Sequence, residues 1–181
     1  MGKAIVLFAE GFELCEALLV VDILQRAKAE VVKVAVGDSL EVRCSGGTAV
    51  LADVTEKEAD FDSADMLVLP GGMPGSVNLY NSETVREQCA LFAKTRKLAA
   101  ICAAPSVVLS ELGLLESKKA TVYPSFEDRM NCARVTRKGV TVDGNITTAQ
   151  ALGSALPFAL ELAGQLQGRD EAKRVAASIC F

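Results

Sequence analysis

Cys102 closes the apolar run Leu98-Ala99-Ala100-Ile101 and stands three residues before Pro105, a spacing that places one thiol at the joint between a buried strand and a helix. Pro105 suits a first helical turn, and Val107, Val108, Leu109 and Leu112 continue it. The unpaired N–H groups and the dipole of a helix start favour negative charge, so a thiol there tends towards thiolate, the nucleophilic form. Without such help, a thiol of pKa about 8.5 is only about 3% thiolate at neutral pH. The competing reading of Cys102 is a small apolar side chain packed at a strand end.

No histidine occurs in the 181 residues, which removes the usual ways of activating a thiol. Ser-His-Asp and Cys-His hydrolase machinery and the H-E-x-x-H zinc site all need an imidazole, so a conventional thiol protease is excluded. Carboxylates remain, and the turn after the first apolar run offers Glu10, Glu13 and Glu16. A thiolate and a carboxylate about 4 Å apart repel by about 4 kcal/mol at an effective dielectric of about 20, roughly three pKa units. Both cannot be charged at neutral pH. If the helix start stabilises the thiolate, the carboxyl keeps the shared proton and can pass it to and from a substrate. All three acids equally suit a solvated first turn, and spacing alone does not choose among them.

The elements that must position these groups follow from hydrophobic periodicity. Residues 4–9 read as a fully buried strand, and Leu14, Ala17, Leu18, Val21 and Leu24 as one face of the helix after it. Strands are expected at 31–36, 42–44, 48–51, 66–69, 98–102, 120–123, 134–136, 140–142 and 146–148. Helices are expected at about 83–94, 151–166 and 170–179, and after Pro105. Buried strands separated by helices predict an α/β fold, a mostly parallel sheet covered on both faces. Ligands of such sheets gather at the carboxyl ends of the strands. Three loops converge there: Glu10–Glu16, the breaker-rich Pro70–Gly75, and Cys102–Pro105.

Half of the residues are hydrophobic and 23% are charged, and glycine and proline are scattered, so residues 1–181 are expected to form a single globular domain. A net charge of −4 argues against a nucleic-acid partner. The first apolar run is too short for a signal peptide, and no stretch is long enough to span a membrane. The six scattered cysteines are therefore expected as reduced thiols in the cytoplasm. No dinucleotide fingerprint, phosphate loop or zinc-ligand spacing is present, so neither cofactor nor metal is expected.

Three segments carry a resemblance: Glu-Gly-Phe-Glu-x-x-Glu at 10–16, Leu-Pro-Gly-Gly-Met-Pro-Gly at 69–75 and Ala-Ala-Ile-Cys-Ala-Ala-Pro at 99–105. Together they resemble the ThiJ/PfpI superfamily, in the branch of the Parkinson-disease-associated redox protein DJ-one, over nearly the whole chain. That resemblance implies a flavodoxin-like doubly wound sandwich, usually a homodimer, with Cys102 on a strained strand-to-helix turn. It also implies that Glu16 hydrogen-bonds the cysteine and that the N–H groups of Gly72 and Ala103 form an oxyanion pocket. Gly71, Tyr123 and Arg26 would belong to that pocket, although Arg26 also reads as a solvated helix charge. Cys15 would lie near the dimer interface.

Departures from the family pattern bear on the chemistry. Tyr123 stands where many relatives carry histidine, Gly46 replaces a family arginine, and Ala151-Leu152-Gly153 replaces Gly-Pro-Gly. A tyrosine can donate a hydrogen bond but is no imidazole base, so superfamily protease activity does not carry over. The resemblance implies a cofactor-independent glyoxalase or protein deglycase acting on methylglyoxal, glyoxal or their adducts. The alternatives are an oxidative-stress sensor through Cys102 sulfinic acid, and a redox-regulated chaperone.

Overall fold

The computed structural model describes residues 2–181. Its main sheet has the order β10-β11-β7-β6-β1-β2-β5. The strands are β1 (Lys3–Phe8), β2 (Glu30–Ala35), β5 (Val54–Thr55), β6 (Met66–Leu69), β7 (Lys97–Ile101), β10 (Val140–Asp143) and β11 (Ile146–Ala149). All neighbours pair in parallel except β10 with β11. β3 (Glu41–Arg43) and β4 (Ala49–Leu51) make a separate antiparallel hairpin, and β8 (Lys119–Ala120) pairs with β9 (Arg134–Val135) apart from the sheet.

Over residues 4–8, 66–69 and 98–101 the central strands are apolar at every position, because both sheet faces are covered. On β1, Ala4, Val6 and Phe8 join one core with α1 (Leu14–Arg26), α4 (Ala155–Gln167) and α5 (Arg169–Ser178). Ile5 and Leu7 face the other core, shared with α2 (Gly75–Asn81) and α3 (Glu83–Thr95). Met66 and Val68 divide from Leu67 and Leu69 in the same way, as do Ala99 and Ile101 from Leu98 and Ala100. Each fully buried Leu, Ile, Val or Phe contributes about 1.5–3 kcal/mol, so these strands form a rigid floor. The result is the mostly parallel α/β sandwich expected from the sequence.

Three local expectations are corrected. The strand expected over 120–123 ends at Ala120, because the next amides bond elsewhere: Thr121 N–H to Thr148 Oγ1 and Tyr123 N–H to the Cys102 carbonyl. The helix after Cys102 is a π-helix over Pro105–Ser110. The helix expected from 151 starts as a 3-10 turn, Leu152–Ser154, and becomes α-helical at Ala155. Helix α2 and strand β5 were not expected at all. α2 follows a breaker-rich loop, and β5 has only two residues, too few to show a period.

β1 leads towards β2 on one side and β6 towards β7 on the other. Between β1 and β6 the winding therefore reverses, and the crevice at their carboxyl ends is where such a sheet binds ligands. The loops after β1, β6 and β7 meet there.

Candidate active site

Cys102 directly follows β7 with φ of 64°, in the left-handed region. That conformation costs a non-glycine residue about 1–3 kcal/mol and persists only where the surroundings fix it. They do so here. The Cys102 N–H donates to the Ala149 carbonyl at 3.0 Å, and the Cys102 carbonyl accepts from Tyr123 N–H at 2.9 Å. Both main-chain groups are thereby held, and the half-buried thiol is set at the start of the π-helix.

Glu16 lies in the first turn of α1 and is 1% exposed. Its Oε2 accepts from Gly71 N–H at 3.0 Å, and it is also hydrogen-bonded to the Leu152 amide and to the Cys102 side chain. The N–H groups of Gly72 and Ala103 lie near the Cys102 sulfur and favour its charged form. Gly71 is glycine because of close approach. A Cβ there would overlap Cys102 Cβ and lie 2.6 Å from Glu16 Oε2. Gly72 has φ of 94° and sits so close to Phe12 and Glu13 that any side chain would strike their backbone.

The three acids that spacing could not separate do different work. Glu10 Oε2 accepts from Arg43 N–H at 3.0 Å and so ties the loop to the hairpin. Glu13 caps α1, its Oε2 accepting from Glu16 N–H at 2.6 Å. Glu16 alone reaches the thiol.

Burial raises the Glu16 pKa to about 7, and the Glu13 carboxylate adds to this, against the hydrogen bonds from Cys102, Gly71 and Leu152. Burial pushes the Cys102 thiol up to about 12, with the Glu16 charge second, against the Gly72 and Ala103 amides. The amides act in the expected direction, but desolvation and Glu16 outweigh them. The thiol is held up while Glu16 is charged. Once Glu16 holds the proton, its repulsion is gone and its O–H can donate to sulfur. The pair thus shares a proton, and its tautomers decide whether sulfur is nucleophilic.

Tyr123 is 43% exposed beside Cys102, held through its main chain. Arg26 is a correction. It lies ten residues after Glu16, in the last turn of α1, about 15 Å along the helix at 1.5 Å per residue, and pairs with Asp22 at 2.7 Å. Arg26 therefore stands outside the pocket within this chain. Cys15 is exposed on α1, whereas Cys89 is buried in the core and desolvation pushes its thiol up to about 12. Ala149 is a site group that sequence reasoning missed, since a main-chain acceptor leaves no residue-type signal, whereas Leu152, whose amide acts on Glu16, lies in the Ala151-Leu152-Gly153 segment already singled out. Among the described residues, no group of three His, Cys, Asp or Glu could hold a metal ion.

Residues 2–165 match the model of the DJ-1/PfpI family. The chain belongs to this family. It is 38% identical over 170 residues to Protein DJ-1 homolog B of Arabidopsis thaliana, covering 93% of this chain but only 39% of that relative. It is 34% identical over 180 residues to Protein dj-1beta of Drosophila melanogaster, covering 98% of this chain and 96% of the fly protein. Glutathione-independent glyoxalase DJR-1.2 of Caenorhabditis elegans is 27% identical over 98% of this chain and 95% of its own length. Among solved structures, oxidized Toxoplasma gondii DJ-1 superposes with a TM-score of 0.96 at 35% identity, covering 100% of this chain and 99% of that one. That DJ-1 structure and this chain share the flavodoxin-like sandwich. In this DJ-1/PfpI chain, no described helix is long and apolar enough to cross a membrane.

Proposed function

We propose that this protein is a cofactor-independent glyoxalase and protein deglycase, acting on methylglyoxal or glyoxal and their adducts through Cys102. The observation that carries this reading is a buried Glu16, raised to about 7, hydrogen-bonded to a thiol near which two main-chain amides also lie. The glyoxalase name of the nematode relative supports it.

In this reading the Cys102 thiolate attacks the aldehyde carbon and a C–S bond forms as the C=O π pair moves onto oxygen. The Gly72 and Ala103 amides hold that oxyanion, worth about 3 kcal/mol per well-placed donor, and the Glu16 carboxylic acid protonates it to a hemithioacetal. The Glu16 carboxylate then removes the proton from the former aldehyde carbon as the neighbouring C=O π pair moves onto its oxygen, the hydroxyl proton passes between the two enediolate oxygens, and Glu16 returns its proton to the neighbouring carbon. The product is a thioester on Cys102. Water cleaves it, releasing lactate from methylglyoxal or glycolate from glyoxal and restoring the thiol. One water is consumed and no oxidant is needed. The protein works as a homodimer in the cytoplasm, where its six free cysteines remain reduced.

The test is methylglyoxal turnover by purified protein in buffer without added thiol, with lactate followed by NMR. Wild type should form lactate and Cys102→Ser should not; equal turnover by the two defeats the reading. The same geometry supports redox sensing as a second reading. Two amides and a protonated Glu16 can hold a Cys102 sulfinate, with peroxide as oxidant. Mass spectrometry after mild peroxide should place two oxygens on Cys102 first; selective oxidation of Cys15 or Cys44 would defeat it.

A further inference from the structure

Large apolar side chains left in solvent are ordinary when scattered singly, and informative when several segments bring them to one place. Met73 is 47% exposed, Tyr123 43% and Leu152 48%. Each is tied to the thiol–carboxyl pair through the main chain. Met73 follows Gly72, whose N–H lies near the Cys102 sulfur. Tyr123 donates its N–H to the Cys102 carbonyl, and Leu152 bonds Glu16 through its own amide. The three come from the loop after β6, the segment after β8 and the 3-10 turn before α4. Their main chains therefore meet the thiol–carboxyl pair from three separate parts of the chain, and all three leave their side chains exposed.

The leading charges acting on the pair are its own and that of Glu13. Gly46, on the hairpin beside Phe12, has only Cys44 Sγ near the position of a side chain, at 3.8 Å. An electrophile carrying a carboxylate would meet the negative charge of Glu13. A neutral electrophile with an apolar substituent would instead remove Met73, Tyr123 and Leu152 from water.

We propose that Met73, Tyr123 and Leu152 are specificity-determining residues that select neutral electrophiles with a bulky apolar substituent, such as an aryl or branched-alkyl α-oxoaldehyde, against carboxylate-bearing ones. Turnover of such an oxoaldehyde rests on the glyoxalase reading above, but selection by these side chains does not. The addition step is the same: the C–S bond forms at the aldehyde carbon and the oxygen takes its proton from Glu16. An aryl substrate would leave as a 2-aryl-2-hydroxy acid after uptake of one water.

The experiment uses two probes that share one reactive ring, N-benzylmaleimide and an N-carboxyalkylmaleimide, each rate at Cys102 being followed by mass spectrometry and divided by its rate with glutathione. Wild type should prefer the benzyl probe by about 10-fold or more, within the range that small changes of apolar contact produce. Met73→Ser and Leu152→Ser should each reduce that preference, and the double variant should bring it to within about 2-fold. Phenylglyoxal turnover against glyoxal is measured in parallel. Probe selectivity without any turnover leaves the apolar selection standing and defeats the glyoxalase reading; turnover without selectivity defeats that selection. A Leu152→Ser variant that changes the elution volume of the protein while leaving selectivity intact would place Leu152 in a subunit contact and overturn its role here.

Discussion

The Gly71 N–H and Glu16 Oε2 meet at 3.0 Å across 55 residues of sequence, and the same Gly71 leaves no room for a methyl group between Glu16 and Cys102. This one contact binds the loop after β6 to the helix after β1 and sets the distance between carboxyl and thiol. Gly71→Ala should therefore force the pair apart, destabilising the fold by about 1–3 kcal/mol as overpacking does. Denaturant unfolding and the alkylation rate at Cys102 should change together. A variant as stable and as reactive as wild type would contradict the packing described.

Glu16→Gln preserves volume and removes both the charge and the proton shuttle. Turnover of methylglyoxal should fall by about 100-fold or more, the usual scale of general acid–base loss. Stability should respond to pH in a defined direction. Glu16 is raised from 4.5 to about 7 in the fold, so the folded state binds the extra proton between those values. Wild-type stability is then fullest below pH 4.5 and is lost as pH rises through 7. The glutamine variant escapes that loss. Relative to wild type it should gain on the order of 2–3 kcal/mol between pH 4.5 and 8, measured by urea unfolding at both pH values. A constant difference between the two proteins would show that Glu16 titrates normally.

Glu13 is read differently, as the residue that positions Glu16 and raises its proton affinity. Glu13→Gln keeps an acceptor for the Glu16 N–H and removes a charge that lifts the Glu16 pKa. The inflection of Cys102 alkylation assigned to Glu16 should move to lower pH with little loss of stability. Glu13→Ala should move it too, and should also cost about 1 kcal/mol for the lost cap. An unmoved inflection in both variants would remove Glu13 from the electrostatics of the site.

Arg26→Ala should alter turnover by less than about 2-fold and stability by less than about 1 kcal/mol, as expected for an exposed ion pair. A large loss of turnover would return Arg26 to the pocket, through an arrangement not contained in one chain.

How much of this was legible in sequence depends on what each residue's role rests on. Cys102 was legible because a closed apolar run followed by proline marks a strand-to-helix joint, and Gly71-Gly72 because only a special turn tolerates so many breakers. The separate duties of Glu10, Glu13 and Glu16 were not, since all three occupy one short turn. What distinguishes them is a bond to Arg43, a cap, and a contact to Cys102 from a distant strand. Arg26 matched a family position, but ten residues of helix carry it to the far end of α1. The π-helix after Pro105 left no mark in a pattern equally compatible with an α-helix. The part of the thiol's raised pKa that comes from burial could not be read, because desolvation is a product of packing.

The account rests on a proton shared between Cys102 and Glu16, and the pH profile of alkylation at Cys102 tests this most directly. With iodoacetamide and mass spectrometry to isolate Cys102 from the other thiols, the wild-type rate should rise through about pH 7 and then level off. Loss of the pair's first proton populates a fixed fraction of the thiolate–carboxylic acid tautomer, and no more forms until the thiol itself titrates. Glu16→Gln should lose that step and show the profile of a single thiol. A wild-type rate that climbs continuously with pH, with the same profile in Glu16→Gln, would contradict the shared proton.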